Sequence, residues 1–210
     1  MRTSNTDRSE AHNAEVKKKI LDASRALLLA DGLDGFSMRK LAARIGYTAT
    51  GIYHHFPDKQ DVLRALMDAD FKAFRAGLGR IGKVDDPVER IRRMGMAYVE
   101  FASEHPDHYR LLFMTPQLKH SDKEIARGDP AEDAYAFLRG AVAEGLAAGR
   151  FRPEFRDADE LSQIIWAGVH GLVSLHIAKG GDDWVPWKPI RPAFRRMNEA
   201  LIRGLTTNDV

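Results

Sequence analysis

The 210-residue chain contains no cysteine, which excludes disulfides, thiolate metal sites, a nucleophilic thiol and cysteine-based redox sensing together. Long apolar runs are also scarce. The opening residues, MRTSNTDRSEAH, lack the apolar core of a signal peptide, and no later stretch reads as the roughly 20 apolar residues of a membrane span. A cytoplasmic protein with no membrane partner is expected. Catalytic patterns are missing too: no G-x-S-x-G elbow or other nucleophile-and-base string stands out, so no catalytic residue is assigned. His105 and His108 flank Pro106 without a zincin glutamate, so neither a metal nor a cofactor is expected. Gly77-Leu-Gly79-Arg-Ile-Gly82 matches G-x-G-x-x-G literally, but it follows a helical pattern and lacks the preceding strand that dinucleotide binding requires.

What is present reads as an ordinary globular composition, 44% hydrophobic and 30% charged. Net charge is only +2, yet residues 1–85 hold 15 Lys/Arg against 11 Asp/Glu, while the remainder holds 17 against 19. The longest stretch free of Asp and Glu is Gly35 to Pro57, and it contains Arg39, Lys40, Arg44, His54 and His55. A polyanion can approach there without repulsion.

Apolar periodicity predicts helices and no strands, an all-α chain. Val16, Ile20, Ala23, Leu27 and Ala30 mark a helix from about Asn13 to Asp31, ended by Gly32. Ser37 can cap a short helix with Leu41, Ala42 and Ile45 inward, which Gly46 stops. Thr48 can cap the next, from about Ala49 to Phe56, with Ile52 and Phe56 inward and Pro57 forbidding continuation. Asp58 then caps a longer helix that ends among Gly77, Gly79 and Gly82. Beyond Pro87, bundle helices are predicted over about Val88 to Ser103, Ala131 to Ala148, Asp159 to Lys179 and Pro192 to Leu205.

A long helix followed by two short ones joined by Gly46-Tyr47 is the tri-helical pattern of a helix-turn-helix, whose second short helix enters the DNA major groove. With Ile52 and Phe56 inward, Thr48, Thr50, Tyr53 and His54 are left to face DNA. The ordered string Phe36-Ser37-Met38-Arg39-Lys40-Leu41-Ala42 through Gly46, then Gly51-Ile52-Tyr53-His54-His55-Phe56-Pro57-Asp58-Lys59 and Leu63, closely resembles the DNA-binding head of the TetR family over roughly residues 14–74. That resemblance implies that Ser37 and Arg39 contact the backbone or a base edge. It implies that Thr48, Thr50, Gly51, Tyr53 and His54 form the recognition surface, and that Tyr53 and Lys59 anchor phosphates. Arg44 reads equally as a solvated surface charge. Arg2 and Arg8 in the N-terminal tail are candidates for a minor-groove arm or for plain disorder.

Trp166 and His170 with Gly171 resemble the WHG-type C-terminal domain of some TetR-family regulators, as does His105-Pro106-Asp107 through Tyr109, Leu111, Leu112 and Phe113. The resemblance implies a homodimer through the last two long helices and a small-molecule effector of unstated identity. Tyr98, Phe101, Tyr109, Phe113, Phe137, Trp166 and His170 are the candidate pocket residues, although an aromatic stripe at helical spacing equally describes a core. The expected organisation is a flexible tail over 1–12, a helix-turn-helix domain over 13–75 and a ligand-sensing, dimerising bundle over 76–210. The expected function is a repressor of a near-palindromic operator, released by its effector. The alternatives are an architectural DNA-binding protein that recruits a partner and senses nothing, and a helical enzyme or carrier that retains a basic head.

Overall fold

The computed structural model describes residues 5–79, 81–115, 128–129 and 133–207. Arg2 and Ala131 lie outside them. Among the described residues there are nine α-helices and no β-strand, only one isolated bridge between Phe151 and Thr206. The helices are α1 (Asn5–Gly35), α2 (Met38–Ile45), α3 (Ala49–Tyr53), α4 (Lys59–Ala76), α5 (Pro87–Glu104), α6 (Pro106–Phe113), α7 (Ala134–Ala147), α8 (Ala158–Lys179) and α9 (Ile190–Leu205).

Two helices differ in extent from the periodicity, and one helix is additional to it. α1 begins at Asn5 rather than near Asn13, because residues 8–15 are all exposed and so carry no apolar repeat to read. It is interrupted at Gly32. α3 ends at Tyr53, and a turn carries the chain to Phe56, whose N–H still reaches Ile52 O at 3.0 Å. α6 was not anticipated as a helix. It is a short element that opens on Pro106, where the fixed φ of proline suits a first helical turn.

The chain divides into two units. The first holds Met1–Lys72 and Asp107–Asp122. Its core contains Ile20, Leu41, Ile52, Val62 and Leu66, each fully buried, and Phe113 meets Phe71 edge-on at 6.5 Å and Tyr109 at 5.1 Å. Within this core sits a charged cluster. Asp70 of α4 has no solvent exposure. Its carboxylate accepts from Arg25 Nε at 3.1 Å and pairs with the same guanidinium through a second nitrogen at 2.5 Å. His108 Nδ1 of α6 lies 2.9 Å from the same carboxylate. Burial disfavours the Arg25 charge, but the Asp70 and Asp22 carboxylates outweigh it and hold the guanidinium's pKa above its ordinary value.

The second unit holds Ala73–Pro106 and the chain from Lys123 onward, in which α5, α7, α8 and α9 pack on one another. Asp86 caps α5 through the N–H groups of Val88 and Glu89 at 2.8 and 2.9 Å. The Glu89 N–H and the Arg150 guanidinium hold its carboxyl below the usual carboxylate range, against the opposing effect of burial. Close approach explains Gly95: a Cβ there would stand 2.7 Å from Phe194 Cζ, and Phe194 of α9 is 1% exposed. The sequence pattern placed no membrane-length helix in the chain. α8 is nonetheless long and apolar enough to qualify by length and composition, and only 28% of its apolar stretch is buried within the chain.

Removing the Asp70 charge leaves Arg25 buried beside a neutral amide. Asp70→Asn is expected to cost about 3 kcal/mol or more of unfolding free energy, read by urea unfolding. A loss under about 1 kcal/mol would show that the cluster is solvated enough to matter little.

Candidate nucleic-acid interface and aromatic cluster

Ser37 stands in extended backbone ahead of α2, and its Oγ accepts the Lys40 N–H at 3.2 Å. Gly46 ends α2 in the left-handed region at φ 72°, a conformation that glycine adopts at little cost. The following Tyr47 N–H then reaches Ala42 O at 2.9 Å. Thr48 repeats the capping device for α3, its Oγ1 accepting the Gly51 N–H at 3.1 Å. In both caps the hydroxyl oxygen serves the helix while its proton stays available for a phosphate.

Burying Ile52 and Phe56 turns Thr48, Thr50, Tyr53 and His54 outward, and Tyr53 is 49% exposed. Arg39 and Arg44 are exposed on α2, while Ser37, Gly51 and Lys59 are half-buried. Lys59 occupies a position its sequence context did not suggest. Its Nζ donates to Leu33 O at 2.8 Å and to Phe36 O at 3.0 Å, and it lies 5.5 Å from the Phe36 ring centroid. Lys19 of α1, which the sequence reading overlooked, stands 5.3 Å from the Tyr47 ring between the two short helices. Nothing in the periodicity of α1 marks that contact.

The aromatic candidates separate. Tyr109 and Phe113 belong to the first unit; Tyr98, Phe101, Phe137, Trp166 and His170 belong to the second. There the Trp166 indole N–H donates to Tyr98 Oη at 3.2 Å, and Tyr98 Oη lies 3.0 Å from His170 Nδ1. Indole only donates, so the Tyr98 oxygen accepts from it and the phenolic proton can point at Nδ1. Around this trio, Phe74 packs on Tyr98 at 5.6 Å and on Phe101 at 5.2 Å, and Tyr135 meets Trp166 at 6.3 Å. Phe137 instead borders Gly82. Tyr135 was missed by the sequence reading, although its hydroxyl donates to Asp159 Oδ1 at 3.1 Å and Arg139 Nε reaches the same oxygen at 2.9 Å. The Arg139 hydrogen bond leads in holding the Asp159 carboxyl below its usual range.

Burial holds the His170 pKa below its ordinary 6.5. A depressed histidine favours the fold while neutral, so its contribution is present above the unfolded value and is lost as pH falls through the folded one. Wild-type protein should therefore lose stability relative to His170→Gln on acidification from about pH 8 to about pH 5, followed by thermal melts. A stability difference that does not change with pH would show that the imidazole is solvated.

Comparison with known proteins matches residues 20–66 to the family model described as bacterial regulatory proteins, tetR family, and residues 91–201 to the tetracyclin repressor-like C-terminal domain. An HTH-type transcriptional regulator of Saccharopolyspora erythraea is 46% identical over 178 residues, covering 79% of this chain and 70% of that protein. The HTH-type transcriptional repressor AcnR of Corynebacterium diphtheriae is 25% identical over 174 residues, covering 79% and 83%. Among solved structures, a TetR family transcription regulator from Marinobacter aquaeolei superposes with a TM-score of 0.70 at 17% identity, covering 96% of this chain and all of that one. The ketosteroid transcriptional regulator KstR2 of Mycobacterium tuberculosis superposes at 0.64 with 18% identity, covering 91% and 95%.

Proposed function

From the premise that this chain belongs to the TetR family of DNA-binding transcriptional regulators, a family of regulators rather than enzymes, we propose that it is a cytoplasmic one-component repressor that binds a near-palindromic operator as a homodimer. A small-molecule effector releases it. Residues 13–75 form the DNA-binding domain, and 76–210 form the sensing and dimerising domain. The observation that carries this reading is the outward face of α3. Thr50, Tyr53 and His54 are exposed there inside a stretch free of acidic residues, on the helix that Thr48 caps and just after the one that Ser37 caps. Ser37 and Arg39 contact the phosphate backbone or a base edge, and Tyr53 and Lys59 anchor phosphates. Thr48, Thr50, Gly51 and His54 complete the recognition surface with Tyr53.

The dimer face is argued from α8. Ile164, Ala167, Gly171, Leu175 and Ala178 recur at three-, four- and seven-residue steps, and Ile164, Ala167, Leu175 and Ala178 are exposed. Met197, Ala200 and Gly204 make a parallel stripe of modest side chains on α9. Two such faces from two copies can approach closely, burying the apolar surface that a single chain leaves open. A two-fold axis then sets two copies of α3 about 34–36 Å apart, one turn of DNA. The effector site is assigned to the second unit, where Tyr98, Trp166 and His170 give polar direction to a surface made of aromatic rings.

The test is fluorescence anisotropy against the DNA upstream of the protein's own gene, with a scrambled duplex as control. Operator affinity at least about a thousandfold above the scramble is expected. Tyr53→Phe should weaken operator binding about tenfold by removing one hydrogen bond to a charged group. Equal, steeply salt-dependent binding to both duplexes would favour an architectural role.

The dimer is tested separately by sedimentation. Leu175→Glu places a charge in the paired faces and is expected to shift micromolar protein from dimer to monomer, leaving the helical content of each chain intact. A dimer unchanged by that substitution would move the interface elsewhere.

A further inference from the structure

We propose that Lys19 of α1 is a phosphate contact of the DNA-binding head, a cation held beside α3 by the Tyr47 ring. The inference rests on the DNA-binding reading given above and adds α1 to the elements that reading sets against DNA, which are α2, α3 and the start of α4. Two observations carry it. The Lys19 ammonium stands 5.3 Å from the Tyr47 ring centroid, within reach of a cation–π contact. The same ring borders α3, since a Cβ on Gly51 would stand 3.6 Å from Tyr47 Cδ1.

The placement follows from the packing of α1. Val16 and Ile20 are buried, and with α1 packed on α2 they fix how the helix is turned. Lys17, Lys18 and Lys19 follow one another at steps of about 100°, so one of the three faces the α2–α3 turn and the others do not. Lys18 pairs instead with Asp22 at 2.7 Å, and Lys17 lies about 200° around the helix from Lys19. Lys19 is exposed. Of the α1 carboxylates close to it in sequence, Asp22 is taken by Lys18 and Arg25, and among the described residues Glu15 forms no ion pair with it. An aromatic face attracts an ammonium without using up its protons, so these stay available to phosphate oxygens. Tyr47 directly precedes Thr48, the cap of α3. A DNA strand lying along the exposed Thr48 and Thr50 therefore passes beside the cation that this ring holds.

The run of lysines supplies both the test and its control. One phosphate contact contributes about one to the slope of log affinity against log salt, and about eightfold in affinity at about 0.1 M salt, whatever the sequence. For Lys19→Met, anisotropy is expected to show that loss both on the DNA upstream of the protein's own gene and on the scrambled duplex, with the ratio of the two affinities kept. Lys17→Met is expected to keep the slope of wild type. Both side chains are exposed, so both variants are expected to melt as wild type does. An unchanged slope for Lys19→Met overturns the proposal. Equal losses from the two variants overturn it as well, because they would mean a diffuse positive field rather than a contact.

A second measurement needs no variant. Wild-type protein, free and bound to the upstream duplex, is treated briefly with acetic anhydride, and labelling at each lysine is read by tandem mass spectrometry. Lys19 is expected to react readily in free protein and several-fold more slowly on DNA, while the exposed Lys17 and Lys72 react alike in both states. Labelling of Lys19 that DNA does not slow would sink the proposal. Failure of the DNA-binding reading itself would instead appear as wild-type protein that does not distinguish the upstream duplex from the scramble.

Discussion

The first unit is organised around a carboxylate that water does not reach. Asp70 has no solvent exposure, so its carboxylate must be met by protein groups, and these come from far apart in the sequence: the Arg25 guanidinium on α1 and the His108 imidazole on α6. Apolar packing alone could slide these helices past one another with little change in buried area. A carboxylate bound through two guanidinium nitrogens tolerates no such slide, because displacement by an ångström leaves a charge buried without its partner. An apolar replacement of matched volume could be as stable, so the contribution of the cluster lies in fixing one arrangement of α1, α4 and α6. Asp22, on the same face of α1 as Arg25 and 3.1 Å from it, restrains the guanidinium from its other side.

The second unit reaches its specificity by shape. Phe194 fits over Gly95, and a side chain at Gly145 would collide with Phe151, a Cβ there standing 2.5 Å from the ring. Interiors are close-packed enough that such contacts select one register between helices. Its polar contacts include the Tyr98, Trp166 and His170 trio and the Tyr135, Arg139 and Asp159 group. Each group links residues of different helices through oriented hydrogen bonds. These give direction to a core that aromatic rings alone would leave loosely specified.

The all-α fold and the capped short helices were legible from sequence because their causes are local. Ser37, Thr48 and Gly46 act within four residues of where they stand, and apolar spacing reports one helix face at a time. What stayed hidden was non-local. Asp70 interrupts the apolar pattern of α4 and reads as a surface residue, since nothing in the neighbouring sequence announces an arginine on α1. The family string identifies Lys59 but not the two carbonyls it holds. α6 is too short for its periodicity to stand out, and its place with the first unit depends on residues brought together only by folding. The seven aromatic candidates were chosen by type and spacing, which cannot assign residues to units. The structure accordingly divides them, with Tyr109 and Phe113 falling on the side of the charged cluster.

α4 carries one residue of each kind of order a single helical turn apart. Asp70 belongs to the buried charge cluster, and Phe74 to the ring packing with Tyr98 and Phe101. The two differ in stiffness. Ring contacts are held by many small dispersion terms and can be exchanged for similar contacts at modest cost, whereas the carboxylate cluster has a steep penalty for separation.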